Sequence, residues 1–421
     1  MKKAKRTKGI IWLPLLCLAM SGCAGSELMD EIPRDFVAVP TEMTEAAMSE
    51  AVSVTSEEKT EEKPEEKPED DSFLWSGADD YAYSCLGEAE QIWYRDIEEI
   101  LGGHLTDRQL SEEGLSQGLN EEDIDNIFQC VLNDHPELFY VEGYSYTKFT
   151  KNDSITAIEF SGTYNVDTET AHEKAAQIQA AAEQILSGIS DSASDYDKVK
   201  YVYDTLIRET DYELNSADNQ NIYSVFVNHS SVCQGYAKAT QYLLNRLGVE
   251  CTLVLGTVDT GEGHAWNLVK IDGSYYYVDT TWGDASYQME EEASAQRMPA
   301  MPEINYDYLN VTTAELLRTH TIGGNLPMPA CVATEANYYV KEGALFSCYD
   351  KEQMSALFSA ALDQGREDIT VKCTDENCYN EVLNALIGEQ EIFKYLNGAG
   401  NSIAYAQNDK QLSLTFWVTN E

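Results

Sequence analysis

Apolar positions along the chain recur with two periods, and the switches between them lay out most of the fold. Residues 78–101, ADDYAYSCLGEAEQIWYRDIEEIL, and 120–139, NEEDIDNIFQCVLNDHPELF, carry apolar groups at helical spacing, the second stopped by Pro136. YVEGYSYTKF and ITAIEFSGTYNV alternate with period two and predict a hairpin, after which TETAHEKAAQIQAAAEQILSGI returns to helix. In SDYDKVKYVYDTLIRETDYEL, Val199, Val202, Leu206 and Ile207 fall on one helical face. From Cys233 onward, Ala237, Thr240, Leu244 and Leu247 continue a stripe until Gly248 stops the helix. Strand patterns follow in ECTLVLGTV, HAWNLVKI and SYYYVDTTW. After NLPMPA, KEQMSALFSAALDQG and ENCYNEVLNALIG read as helices and DITVKC, SIAYAQ and LSLTFWV as strands, a small α/β domain.

The pattern predicts an α+β protein, and 421 residues exceed one compact core. The expected divisions are 1–22, a leader; 23–72, a tether; 73–194, an N-terminal α+β domain; 195–328, a central core; and 329–421, the C-terminal α/β domain.

The leader changes the picture of where the protein works. Lys2, Lys3, Lys5, Arg6 and Lys8 precede an apolar run from Ile10 to Met20. That run is shorter than the about 20 residues a spanning helix needs, and it reads as an export signal. MSGC resembles a bacterial lipoprotein lipobox, with Met20 where leucine is usual and Cys23 as the lipidated residue. A lipid anchor on the extracellular face of the cell membrane is the expectation. Residues 24 to about 72, including TSEEKTEEKPEEKPEDD, are acidic and poor in apolar groups, as a disordered tether would be.

The formal net charge of −45 argues against nucleic acid as a partner. Among ten cysteines, Cys85, Cys130 and Cys251 sit in apolar stretches and read as small buried hydrophobes, while Cys373 and Cys378 are close enough in KCTDENCY for a local bridge. No CxxC pair or histidine cluster points to zinc, so no metal and no cofactor is expected. His104, His135 and His172 lack recognisable partners and read as structural or solvated.

Candidate chemistry begins where a helix opens on a cysteine. Ser230 or Ser231 suits the N-cap, which puts Cys233 in the first turn, where unpaired N–H groups favour a thiolate. Small residues beside it on the stripe would let a sheet approach closely. Asp272-Gly273 is a two-residue hairpin signal that places Ile271 opposite Ser274. Counting outward brings Trp266 opposite Asp279 and His264 opposite Thr281, so His264 and Asp279 share a face as diagonal neighbours, about 7–8 Å apart at the backbone. Cys233 then reads as nucleophile, His264 as its base, and Asp279 as the group orienting the imidazole. Backbone N–H groups at the helix start would stabilise an oxyanion. Taken singly, each residue has a structural explanation; their order and the hairpin arithmetic favour chemistry. His229 and His320 are rival bases.

DKVKYVYDTLIRETDYE, VCQGYAKATQYLLNRLGVEC and GHAWNLVKIDGSYYYVDTTWGD together resemble the transglutaminase-like superfamily of papain-related cysteine enzymes, over about 195 to 325. NDHPELFYV and YLNVTTAELLRTHT are similar to segments flanking this domain in bacterial exported proteins. The resemblance implies a nucleophile helix packed on an antiparallel sheet, with Cys233, His264 and Asp279 as the triad. It also implies acyl transfer through a thioester on peptide or protein amide bonds at the cell surface, by a peptidase or amidase or by a cross-linker. No calcium loop of the animal cross-linkers is recognisable. Gln234, Tyr236, Trp266 and Trp282 are candidate substrate contacts, though packing in a tyrosine-rich core explains the aromatic ones equally. The alternative is a surface binding or scaffold protein that retains the fold without turnover.

Overall fold

The computed structural model describes residues 5–12, 80–284, 302–366, 368–396 and 403–417. Cys23 and the acidic tether lie outside the described residues. Among those described, no helix is long and apolar enough to cross a membrane. The described residues divide into two compact units, one lying within 1–74, 86–132 and 140–172, the other within 75–85, 133–139 and 173–421.

In the first unit, the hairpin expected from period-two alternation is β3 (Val141–Lys151) and β4 (Ser154–Tyr164). Asn152 and Asp153 both take positive φ at its turn, the conformation whose twist suits two-residue hairpins. β1 (Lys5–Trp12), in the segment expected from sequence to be a leader, lies antiparallel to β3, and β2 (Arg108–Gln109) completes the order β1-β3-β4-β2. Helix α1 (Glu88–Gly102) buries Trp93, Ile97 and Leu101 completely. Helix α2 (Ile124–Asp134) ends two residues before Pro136 and sets Phe128 against Tyr144 at 4.7 Å between ring centres. Cys130 is buried, as expected, but Cys85 is exposed, at the end of a helical turn too short to cover it.

The second unit contains the central core. Helix α3 (Thr168–Leu186) leads into α4 (Asp195–Glu209), whose Ser194 cap accepts from the Asp197 amide and whose Val199, Val202, Leu206 and Ile207 are buried on the predicted face. A short parallel pair, β5 (Asp211–Tyr212) and β6 (Ser230–Ser231), precedes helix α5 (Cys233–Arg246). Gly248, with φ +78, ends that helix. The sheet runs β10-β7-β8-β9, with β7 (Cys251–Val258), β8 (Gly263–Ile271), β9 (Ser274–Val278) and β10 (His320–Ile322) all antiparallel to their neighbours.

The predicted hairpin register holds from Ile271 facing Ser274 to Asn267 facing Val278, around Asp272 and Gly273 at φ +49 and +81. The expected pairings of Trp266 with Asp279 and His264 with Thr281 are not made, because β9 ends at Val278 and the chain turns into a short helix, Thr280–Gly283, capped by Asp279. One side of the sheet closes on α5 through Ala237, Leu253 and Ala265. The other buries Val254, Trp266, Leu268 and Tyr277 with Val311 and Leu316. Full burial of each large apolar side chain contributes about 1.5–3 kcal/mol, so both faces hold β8 firmly.

Beyond this core, β11 (Leu345–Phe346), β12 (Asp368–Cys373), β13 (Ala404–Asn408) and β14 (Ser413–Trp417) form a sheet of order β11-β12-β14-β13. Helices α7 (Lys351–Asp363) and α8 (Glu376–Leu383) are capped by Asp350 and Asp375, after the short α6 (Thr280–Gly283) of the core. Their apolar faces meet the sheet at Phe346, Met354, Phe358, Val371, Val382 and Leu414, all fully buried. Cys373 and Cys378 are buried free thiols, the latter donating to the Phe346 carbonyl at 3.3 Å.

Candidate active site

The cysteine helix begins as predicted at Cys233, but its cap is not a serine. Val232 occupies the N-cap with no side-chain hydrogen bond. Ser230 and Ser231 are held in β6, and the Ser231 hydroxyl is engaged with the Ser224 hydroxyl at 2.7 Å and the Asn219 carbonyl at 2.7 Å. A strand residue whose hydroxyl is already committed cannot turn back to cap. The first-turn N–H groups of α5 are therefore not covered by a capping side chain.

Gly235 makes this tight entry possible: a Cβ there would sit 1.9 Å from Ser231 Oγ and 3.1 Å from the Asn219 carbonyl. Two turns of small residues then let β8 approach, and Asn267 Nδ2 donates to the Ala237 carbonyl at 2.9 Å. Cys233 is partly exposed and packs against the Ala237, Leu253 and Ala265 cluster.

On the sheet, His264 Nε2 lies 2.7 Å from Asp279 Oδ2. The Cys233 thiol is close enough to act electrostatically on the same ring. With Nε2 committed to the carboxylate, Nδ1 is the ring nitrogen left for a proton from the thiol. Burial alone would push the His264 imidazolium down; Asp279 and Cys233 together outweigh it and hold the pKa up, at about 10. Burial likewise opposes the Asp279 anion, yet His264 and His320 hold its carboxyl well below the usual range. Asp279 Oδ1 accepts the Trp282 amide at 3.1 Å, so the carboxylate also caps α6.

His320, named from sequence as a rival base, enters the site differently. Its Nε2 lies 3.0 Å from the same Asp279 Oδ2, and its ring is enclosed by Trp266, Trp282 and Tyr308 at 5.0, 4.8 and 5.6 Å. The close approach depends on Gly256, where a Cβ would stand 2.1 Å from the Thr321 carbonyl of β10. His229, the other rival, is turned to the Glu209 carbonyl at 3.0 Å.

His264, Asp279 and His320 present ligand atoms within 4.8 Å of one another. Both imidazole contacts to the carboxylate have the length of N–H to oxygen hydrogen bonds. A metal at about 2.0–2.2 Å from each would have to enter between groups already in contact.

The four candidate substrate contacts separate into two pairs. Gln234 and Trp282 are partly exposed, one beside Cys233 and the other with its ring 6.0 Å from that of His264. Tyr236 and Trp266 are fully buried, which corrects their assignment. Tyr236 lies on the inward side of α5 and donates to the Thr210 carbonyl at 2.6 Å, and Trp266 packs against His264 and His320 from within the sheet. Sequence reading missed the part His320 plays. The available signal was a histidine heading a strand-like THTI segment, with nothing to say which strand it would join.

Residues 179–280 match the sequence model of the Transglutaminase-like superfamily. The mouse protein Kyphoscoliosis peptidase is 24% identical over 123 residues, which cover 25% of this chain and 19% of that protein; its human counterpart is 24% identical over 111 residues, 23% and 17%. The chain thus spans less than a fifth of the length of these relatives. Among solved structures, one described as a TGase aligns over 39% of this chain and 47% of its own, at 16% identity and a TM-score of 0.24. The periplasmic domain of TgpA from Pseudomonas aeruginosa aligns over 36% and 76%, at 14% identity and a TM-score of 0.22.

Proposed function

We propose that this chain, whose residues 179–280 match the transglutaminase-like model, is a cysteine acyl-transfer enzyme acting on peptide or protein amide bonds through a thioester. The observation that carries this reading is one imidazole bound to Asp279 through Nε2, with the partly exposed Cys233 thiol close enough to influence the same ring.

The thiol proton passes to His264 Nδ1, and the thiolate attacks the amide carbon. The tetrahedral oxyanion is met by N–H groups at the uncapped start of α5. His264 returns the proton to the departing nitrogen as the C–N bond breaks, leaving a thioester. A water or an amine, losing its proton to His264, then takes the acyl group and restores the thiol. Asp279 holds the ring and offsets the imidazolium charge. The name of the mammalian relative, a peptidase, favours water as the acceptor. Anchoring through a lipid on Cys23 would put this chemistry on the extracellular face of the membrane, against protein or peptide at the cell surface.

Site-resolved alkylation tests the reading. Cys233 should react with iodoacetamide faster than the exposed Cys85 and Cys348. Equal rates at all three would favour a scaffold without turnover. Incubation with a glutamine-containing protein and a labelled amine then separates the acceptors, since release without incorporation means hydrolysis.

A further inference from the structure

We propose that the C-terminal strands belong to the catalytic apparatus: Gln411, acting through Thr319, fixes the proton of His320 that braces Asp279. This rests on the acyl-transfer reading above and assigns positioning residues to it.

Gln411 lies just before β14 and is 1% exposed. Its backbone is held on both sides, the amide donating to Asn408 Oδ1 at 3.1 Å and the carbonyl accepting from Arg318 at 3.1 Å. The orientation of its side chain is decided by Lys372, whose ammonium lies 3.3 Å from Gln411 Oε1 and 2.8 Å from Asp307 Oδ1. An ammonium only donates, so the amide oxygen must face it and the NH2 must face the other way.

That NH2 faces Thr319 Oγ1 at 3.3 Å, the Tyr308 hydroxyl at 3.4 Å and the Glu315 carbonyl at 3.5 Å, and Thr319 is the nearest of the three. Burial holds the Tyr308 phenol far above its ordinary pKa, so it remains protonated. In the proposed relay the Thr319 oxygen accepts from Gln411 and its own hydrogen goes to His320 Nδ1, 2.8 Å away, the direction required if the Asp279 carboxylate takes the ring proton from Nε2. With Nδ1 accepting, the ring proton sits on Nε2 and is donated to Asp279 Oδ2.

Every contact in the chain now has one polarity, from Gln411 to Thr319 to His320 to Asp279. The carboxylate receives two imidazole N–H groups on Oδ2 and the Trp282 amide on Oδ1, and cannot turn. The charged and titratable groups in or facing this relay are His320, Asp279, His264, Tyr308, Arg318, Lys372 and Asp307.

The test reads iodoacetamide alkylation of Cys233 from acid to mild alkali in the full chain, with Cys85 and Cys348 as internal references. Thr319→Val removes the hydroxyl at constant shape. Gln411→Glu keeps the contact with Lys372 but presents an acceptor where the NH2 stood. Each is expected to slow Cys233 about tenfold at neutral pH and to move a limb of its pH profile, the size of one lost buried hydrogen bond. Thr319→Ser should restore the parent profile. Reference thiols should keep the parent rate, and the buried Cys130, Cys251 and Cys373 should stay unreactive, which excludes unfolding as the cause. A parent rate and profile in either Thr319→Val or Gln411→Glu overturns the inference alone. A parent Cys233 no faster than Cys348 overturns the proposed function and this inference with it.

Discussion

The imidazole of His264 and the carboxylate of Asp279 are 2.7 Å apart and 6% and 1% exposed, so neither has water as a substitute for the other. Asp279→Asn replaces an anion with a neutral amide and removes the preference for the ring orientation that serves Cys233. Turnover of an amide substrate should fall about 10^3–10^4-fold, a magnitude set by the comparable carboxylate of serine proteases. Steady-state kinetics on parent and variant provide the check, and a fall under tenfold would separate Asp279 from the reaction.

The same pair makes stability depend on pH in a defined sense. His264 has its folded pKa raised from 6.5 to about 10, so its contribution is full below pH 6.5 and is lost as pH rises towards 10. Asp279 has its pKa lowered from 3.8, so its contribution is full above 3.8 and is lost as pH falls further. The melting temperature of the parent relative to His264→Gln should therefore be highest between about pH 4 and 6.5 and should narrow steadily towards pH 10. A difference that grows above pH 7 would contradict the pairing.

Gly256→Ala tests the approach of β10 to β7. Its Cβ would meet the Thr321 carbonyl and the Trp266 ring, at 2.1 and 2.6 Å, so the strand carrying His320 must shift. Overpacking of this kind costs about 1–3 kcal/mol. Chemical denaturation should show that loss, and an unchanged midpoint would mean that the strand gives way freely.

Lys372 and Asp307 form an ion pair with side chains only 1% and 3% exposed, supported by Ser413 Oγ at 2.7 Å and Asn408 Nδ2 at 3.1 Å. Removing one partner strands the other charge, so Lys372→Met should cost about 3–5 kcal/mol. Adding Asp307→Leu should recover much of it, although Ser413 and Asn408 then lose an acceptor. A double-mutant cycle by denaturation measures the coupling, and additive losses would argue against it.

Local chemistry made much of this legible in the chain. Asp272 and Gly273 could be recognised because two adjacent residues with positive φ leave a compositional mark, and the register of β8 and β9 followed from the turn. That register carries His264 towards Asp279. What escaped was set by contacts distant in sequence. His320 meets Asp279 across 41 residues and Gln411 meets Thr319 across 92, with no spacing rule to connect them. The cap escaped for a different reason: Ser231 has the right chemistry for capping, but two other groups already occupy its hydroxyl. Tyr236 and Trp266 were misassigned because an aromatic ring beside a reactive residue has the same sequence signature whether it faces a ligand or the interior.

The buried charge shared by Lys372 and Asp307 also bears on heredity. Recombination that exchanged the last ninety or so residues for those of an unrelated protein would bring no ammonium to residue 307, leaving an anion trapped against apolar surface. A replacement for the C-terminal strands would therefore have to bring its own cation to Asp307, or lose stability at that buried carboxylate.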